Sequence, residues 1–115
     1  MKRVPVAEFQ AAYHKLRGYL PQNTTYSGHP YTYSRTAYLT SDGTYFVVQG
    51  MPATVGKVLT HRLYHAMRLE PCGTWRSAEP ARDHYALRSD KAMRWCKAVA
   101  EAHEVYIQRR RGVEA

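Results

Sequence analysis

Apolar positions follow a helical period at the start of this chain and a strand period further on. The first segment has a helical repeat, and Pro5 suits the first position of such a helix. Pro21 is expected to end it, and the polar stretch 22–30 then predicts a loop. The apolar face of this predicted helix consists of Val6, Phe9, Tyr13, Leu16 and Leu20.

A β-hairpin is the clearest local prediction. Residues 31–40 and 44–50 are rich in strand-forming types and surround Asp42-Gly43, a favoured two-residue type I′ turn. With that turn, alternation gives one apolar face, formed by Ala37, Leu39, Phe46 and Val48. The opposite face then carries Thr36, Tyr38, Thr40, Tyr45, Val47 and Gln49.

Residues 52–69 predict a second helix, which Glu70-Pro71 would end because a residue before proline disfavours helical dihedral angles. Its apolar side would hold Val55, Val58, Leu59, Leu63 and Ala66. Its opposite side would gather Lys57, His61, Tyr64, His65 and Arg68.

The last part predicts a short strand at 74–76, a strand at 84–88 and a long helix at 91–111. Ser89 or Asp90 would cap this helix, and Gly112 would end it. Its apolar stripe is sharp and consists of Ala92, Trp95, Cys96, Val99, His103, Tyr106 and Ile107. We expect a hydrogen-bonded His103 and a buried, inert Cys96 on that stripe.

These elements predict one basic α+β domain, residues 1–115, with the order α-β-β-α-(β)-β-α. The expected sheet is antiparallel, has three or four strands and carries its helices on one face. The opening α-β-β-α order is similar to that of double-stranded-RNA-binding domains. However, residues 52–57 lack the lysine-rich signature of those domains, so the sequence assigns no family.

The charge of the chain indicates an anionic partner. The sequence contains seventeen Lys and Arg, most of them Arg, and nine Asp and Glu, so its formal net charge is +8. A positive field attracts polyanions, and Arg suits phosphate because of its planar fork of donors. We therefore expect either nucleic acid, DNA or RNA, or an acidic protein surface as the partner.

Other features bear on location and on chemistry. Cys72 and Cys96 are too few for a disulfide scaffold, and no secretory signal or membrane-spanning run is recognisable, so a cytoplasmic location is expected. The sequence contains no nucleophile elbow, phosphate loop or dinucleotide fingerprint. His61 and His65 are half of a metal site without further ligands, so we predict no metal, cofactor or catalytic residue.

Four basic features are candidates for binding nucleic acid or a protein partner. They are the helix face Lys57, His61, His65 and Arg68; the arginines Arg76, Arg82 and Arg88; the helix start Lys91, Arg94 and Lys97; and the tail Arg109, Arg110 and Arg111. Tyr38 and Tyr45 are expected to add solvent-facing platforms on which bases can stack.

Three functions remain open at this point. The preferred one is a non-catalytic nucleic-acid-binding module that contacts mainly phosphates. The second is a protein-binding inhibitor or adaptor, for example a mobile-element protein acting against host defence, with Tyr and Arg as anchors. The third is a metal-free ribonuclease of the small basic toxin type, using His, Tyr and Arg. A homodimer through the last helix is also left open.

Overall fold

The computed structural model of the protein describes residues 1–18, 36–55, 58–78 and 89–114. These residues form five strands and two helices. In chain order they are β1 (Lys2–Pro5), α1 (Val6–Arg17), β2 (Thr36–Leu39), β3 (Tyr45–Val55), β4 (Val58–Leu69), β5 (Trp75–Ser77) and α2 (Ser89–Glu114). The predicted loop 22–30 and the predicted strand 84–88 lie outside the described residues.

The five strands form one antiparallel sheet in the order β1-β2-β3-β4-β5. This confirms the α+β class and the antiparallel sheet, but the sheet has more strands than predicted. Strand β1 was missed because it is short and because its residues were interpreted as the segment that precedes α1. Its Val4 lies opposite Ala37 on β2, and both are buried.

The two helices pack on opposite faces of the sheet, so the prediction of helices on one face was wrong. Phe46 belongs to the cluster formed with α2, whereas its neighbour Val47 belongs to the cluster formed with α1. Successive strand residues point to opposite faces. Strand β3 is therefore apolar on both sides, which is a pattern typical of a sheet buried between two layers.

The β2–β3 turn differs from the predicted type I′ turn. Its ladder pairs Tyr38 with Phe46 and Leu39 with Tyr45, one residue out of the predicted register. Thr40 accepts a hydrogen bond from the Gly43 amide (3.0 Å), and Gly43 has φ +92°. A three-residue loop with glycine in the left-handed region produces this register. The slip places Tyr38 and Tyr45, which were predicted to share a face, on opposite faces of the sheet.

The predicted helix over residues 52–69 is wrong, since this segment contributes to β3 and β4. Strand β4 pairs with β3 from Leu69 opposite Tyr45 to Val58 opposite Val55, with an irregularity at Ala53 and Thr54. The apolar residues fit a helical period by coincidence, and pairing with β3 overrides that weak preference. Pro52 is compatible with β3, because the strand has only one described neighbour there.

The core consists of two clusters, one on each face of the sheet. On the α2 side, Ala92, Cys96 and Ala100 pack against buried residues of β3 and β4. On the α1 side, Phe9 stacks on Trp75 with ring centroids 5.5 Å apart. The Tyr13 ring packs edge-on against the same indole, with ring centroids 5.3 Å apart.

Both helix ends differ from the expectation. Helix α1 ends at Arg17, because Gly18 adopts φ +79° and its amide bonds to the carbonyl of His14. Helix α2 continues through Gly112, which was expected to end it. The predicted apolar stripe of α2 is confirmed for Ala92, Cys96 and Ile107, which are buried.

Among the described residues, β3 and β4 pair with each other over a longer range than with β2 and β5. Strand β3 pairs with β2 only at Tyr45 and Phe46, and β4 pairs with β5 only from Met67 onward. Beyond Val48 and Ala66 the described ladder joins β3 and β4, and Ala78 donates its amide to the Ala66 carbonyl at 3.0 Å.

Candidate nucleic-acid interface

The outer face of α2 presents cations to solvent. Lys91, Arg94 and Lys97 are exposed in its first turns, and Arg109 is exposed near its end. Arg94 lies 3.9 Å from Asp90 in an i,i+4 pair, but 78% of its side chain is accessible. Such an exposed pair contributes little to stability, so Arg94 can exchange Asp90 for another anion. A rise of 1.5 Å per residue places Lys97 and Arg109 about 18 Å apart along the axis.

Carboxylates of the described residues are largely engaged inside the protein. Glu8 accepts a hydrogen bond from the Tyr45 hydroxyl, and Glu104 lies 2.6 Å from the amino group of Met1. Asp42 and Glu70 have close internal partners as well, whereas Glu101 is exposed on α2. Each of these ion pairs cancels a cation, so the net positive charge is carried by cations that have no described carboxylate partner.

The β2–β3 turn is fixed to the C-terminal half of α2. Asp42 Oδ2 lies 2.9 Å from His103 Nε2, and Ser41 donates to Glu104 through its hydroxyl (2.5 Å) and its amide (3.1 Å). Burial alone raises the pKa of Asp42, but hydrogen bonds from Thr40, His103 and Thr44 lower it to about 2. The prediction that His103 is hydrogen-bonded is confirmed.

Two of the predicted binding arginines share a carboxylate. Arg68 lies 3.0 Å from Glu70 Oε1, and Arg76 binds the same oxygen through Nε at 3.0 Å. Burial lowers the pKa of Arg68, and the nearby Arg76 lowers it further. Arg68 is mostly buried and Arg76 is partly exposed. Of the two, only Arg76 is placed to meet a large external partner.

A cleft of about 470 Å³ lies between α2 and the sheet. Arg68 and His103 contribute its polar atoms, and Trp95 and Val99 contribute much of its apolar wall. The Nε atom of Arg68 is buried without a hydrogen-bond partner among the described residues. The apolar wall and the internal bonds of Arg68 and His103 make this cleft a poor match for a phosphate chain.

The two histidines of the predicted basic face do not form a site together. Positions 61 and 65 are four apart along β4, which separates their backbones by about 13 Å. His65 is buried opposite Gln49, and the side chain of His61 lies outside the described part. Tyr64 is next to His65, so their side chains point to opposite faces. Within residues 1–18, 36–55, 58–78 and 89–114, no three His, Cys, Asp or Glu side chains cluster as metal ligands would.

The expectation that Tyr38 and Tyr45 form a solvent-facing platform is wrong. Both rings are half-buried, with Tyr38 packed on the α2 side and Tyr45 on the α1 side. Tyr45 Oη lies 3.2 Å from Glu8, and burial together with that carboxylate raises the pKa of Tyr45. The one-residue change of register removes the platform, because it places the two rings on different faces.

One of the C-terminal arginines packs on an exposed aromatic residue. Arg110 donates to the Tyr106 hydroxyl at 3.0 Å and lies over its ring, and Arg111 reaches the Ser41 carbonyl at 3.4 Å. Tyr106 and Val105 are about half accessible, at 54% and 49%. The apolar stripe that suggested a dimer is instead largely covered by the sheet.

Three further cations are also exposed. They are Lys2 and Arg3 on the edge strand β1 and Lys15 on α1, and none of the three forms an ion pair with a described residue. Lys2 and Arg3 are adjacent in the sequence but precede the first predicted helix, so no predicted helix or strand face included them. Lys57, Arg82 and Arg88 lie outside the described residues. None of the helices in the described part is long and apolar enough to cross a membrane.

The predicted burial of Cys96 is confirmed, and Cys72 has the opposite environment. Cys96 is buried in the cluster under α2, and burial raises the pKa of its thiol to about 12. Cys72 is exposed in the turn before β5, where contacts with Thr74 lower the pKa of its thiol. Among the described residues, Cys72 Sγ has Glu70 and Thr74 as its hydrogen-bonding neighbours and no basic side chain.

Comparison of the chain with protein-family models, with curated proteins and with solved structures finds no match.

Proposed function

We propose that this protein is a non-catalytic nucleic-acid-binding module that contacts mainly the phosphate backbone. One observation supports this most strongly. Described carboxylates are mostly held by internal partners, whereas Lys91, Lys97 and Arg109 are exposed on α2 without an ion pair to a described residue. Together with a net charge of +8, these cations give the exposed face of α2 a positive potential that would attract a polyanion.

The test is binding of a fluorescent random-sequence DNA duplex, measured by anisotropy at several salt concentrations. Each phosphate contact contributes a slope of about −0.9 to the plot of log affinity against log salt. Replacing Lys91 and Lys97 by Ala removes two such contacts, so the slope is expected to become shallower by about 2.

The matched control is a double variant that loses the same two positive charges at positions away from α2. Lys2→Ala with Lys15→Ala removes two cations from β1 and α1, away from the outer face of α2. We expect this double variant to change the slope by less than the α2 variant does. Equal effects of the two double variants would mean that net charge, and no particular surface, governs binding.

A specific patch favours a second candidate, a protein-binding adaptor or inhibitor. Tyr106 and Val105 are exposed beside Arg109 and Arg110, and Tyr and Arg are common anchors of protein interfaces. Failure to bind any nucleic acid at low salt, with a co-purifying acidic protein released by Tyr106→Ala, would favour this function over the first.

The ribonuclease alternative has weaker support, because its proposed side chains are dispersed along β4. It predicts cleavage of RNA in EDTA that His61→Ala or His65→Ala abolishes. Intact RNA after long incubation with concentrated protein would reject it.

A further inference from the structure

The cleft between α2 and the sheet has a volume and a lining that suit a small organic molecule. Its volume of about 470 Å³ lies within the range of ligand pockets, about 300–1,000 Å³. Ala98 and Ala102 on α2 and Ala78 after β5 line it with single methyl groups, which leave room between the walls. Trp95 and Val99 add larger apolar surface on the α2 side. Such a lining favours a ligand with an apolar body.

The polar groups of the cleft lie at one end. Arg68 on β4 is the register partner of Phe46, and the Phe46 ring packs on His103 with centroids 5.5 Å apart. Side chains of directly opposite residues share a face of the sheet, so Arg68 lies at the His103 end. At a rise of 1.5 Å per residue, Trp95 is about 12 Å from His103 along the axis of α2. The cleft is therefore polar at the Arg68 end and apolar at the Trp95 end.

The polar end of the cleft favours an anion. Arg68 Nη2 lies 3.0 Å from Glu70 Oε1, and Arg76 binds the same oxygen, so two guanidinium groups share one carboxylate. Asp42 also acts on Arg68, but its oxygens already accept hydrogen bonds within the β2–β3 turn. The pair of arginines therefore keeps positive charge that Glu70 does not balance.

Arg68 can also donate further hydrogen bonds. Its side chain lines the cleft and is 14% accessible, and its Nε atom is buried without a hydrogen-bond partner among the described residues. Buried donors are usually bonded in folded proteins, and a carboxylate can accept two parallel N–H bonds from one guanidinium. Burial lowers the pKa of Arg68, and a bound anion would oppose that effect by stabilising the charged form.

We propose that this cleft binds a small organic carboxylate, with the carboxylate on Arg68 and the apolar body along α2 toward Trp95. This inference goes beyond the proposed function and does not depend on it, because the cleft is a poor match for a phosphate chain. Failure to bind nucleic acid would leave the inference in place, and failure of the inference would leave phosphate binding in place.

A matched pair of ligands tests the charge and the position. The anion 2-naphthoate and its neutral amide, 2-naphthamide, have similar shapes, and each is titrated into ¹⁵N-labelled protein. Trp95 lines the cleft, whereas Trp75 packs on the opposite face of the sheet, so their indole N–H signals report on two different places. We expect 2-naphthoate to shift only the Trp95 signal and to bind about tenfold more tightly than 2-naphthamide. The variant Trp75→Phe assigns the two signals.

Two substitutions separate the apolar wall from the charge. Ala102→Phe fills the cleft from an exposed position of α2 and should abolish the Trp95 shift with both ligands, whereas Ala11→Phe, on an exposed position of α1, should not. Arg68→Met keeps a long apolar side chain without the charge and should remove the preference for 2-naphthoate. Lys15→Met loses a charge on the other face of the sheet and should keep that preference. Circular dichroism checks that each variant is folded, and Ala102→Phe tests the site if Arg68→Met does not fold.

Three results would overturn the inference. Absence of a Trp95 shift with either ligand at millimolar concentration would reject the cleft as a site for this class of molecule. Equal affinity of the unaltered protein for 2-naphthoate and 2-naphthamide would reject an anionic ligand. A preference for 2-naphthoate that survives in folded Arg68→Met protein would show that Arg68 does not bind the carboxylate.

Discussion

His103 Nε2 and Asp42 Oδ2 lie 2.9 Å apart and join the longest helix to the turn between β2 and β3. The two residues are far apart in the chain, and each is supported by further contacts of its own element. Phe46 packs on the His103 ring with centroids 5.5 Å apart, and Thr40 donates to Asp42 at 2.6 Å. The contact therefore fixes how α2 lies across the sheet.

Replacing Asp42 by Ala is expected to destabilise the protein by about 1–3 kcal/mol, because the change removes acceptors for Thr40, Thr44 and His103. The free energy of unfolding in urea measures this effect. Glu101→Ala removes an exposed carboxylate of α2 and is the matched control, with an expected change within about 0.5 kcal/mol. Equal effects of the two substitutions would contradict the role of the turn.

The same carboxylate predicts a pH dependence of stability. The pKa of Asp42 is lowered from 3.8 to about 2 in the folded protein, so its contribution is complete above about pH 4 and disappears as the pH falls toward 2. The pKa of Glu104 is also lowered to about 2, mainly by bonds from Met1 and Ser41, and it acts in the same direction. Asp42→Asn should therefore flatten the loss of stability between pH 4 and 2 without abolishing it.

Two glycines should respond to alanine in opposite directions. Gly43 has φ +92°, and an added Cβ would lie 3.4 Å from the Pro71 ring, so Gly43→Ala is expected to cost about 1 kcal/mol or more. Gly112 lies within α2 with nothing near an added Cβ, so Gly112→Ala should stabilise by up to about 0.5–1 kcal/mol. Urea unfolding of both variants measures the difference, and destabilisation by Gly112→Ala would show that the helix ends before that residue.

Phe9 is expected to be a major contributor to the α1 side of the core. The ring is fully buried and contacts Trp75, Tyr13 and Tyr45, so Phe9→Ala should destabilise by about 3–5 kcal/mol. Leu16→Ala, on an exposed position of the same helix, should cost much less. If both substitutions had similar small effects on the urea midpoint, α1 would not be packed on the sheet.

The thiols predict a simple reactivity pattern. Cys72 is exposed and Cys96 is buried with its pKa raised to about 12. A disulfide reagent at pH 8 should therefore modify one thiol rapidly in the folded protein and the second only after denaturation. Cys72→Ser should abolish the rapid phase, and rapid modification of both thiols would contradict the burial of Cys96.

Sequence patterns predicted the elements with long and regular periods. Helix α2 and its stripe were found because Ala92, Cys96 and Ile107 repeat over many turns. Strand β4 was mistaken for a helix, because Leu63 and Ala66 satisfy a helical period and nothing local reveals the pairing with β3. The register of the β2–β3 turn was missed by one residue, because Asp42-Gly43 suits two turn types with different loop lengths.

The candidate interface was predicted in part. Lys91, Arg94 and Lys97 were correctly placed on an exposed helix face, because all three lie opposite its apolar stripe. The burial of Tyr38 and Tyr45 could not be predicted, since it depends on a second helix covering the other face of the sheet. The ion pairs of Glu70 with Arg68 and Arg76 depend on β5 lying beside β4, which tertiary pairing alone determines.

The most direct test of the central claim is the affinity of the unaltered protein for duplex DNA as a function of salt. We expect tight binding at low salt. The logarithm of the affinity should then fall linearly with the logarithm of the salt concentration, with a negative slope that corresponds to several phosphate contacts. Absence of binding at low salt, or binding that salt does not weaken, would contradict it, because an exposed surface of unpaired cations must release counterions when it meets phosphates.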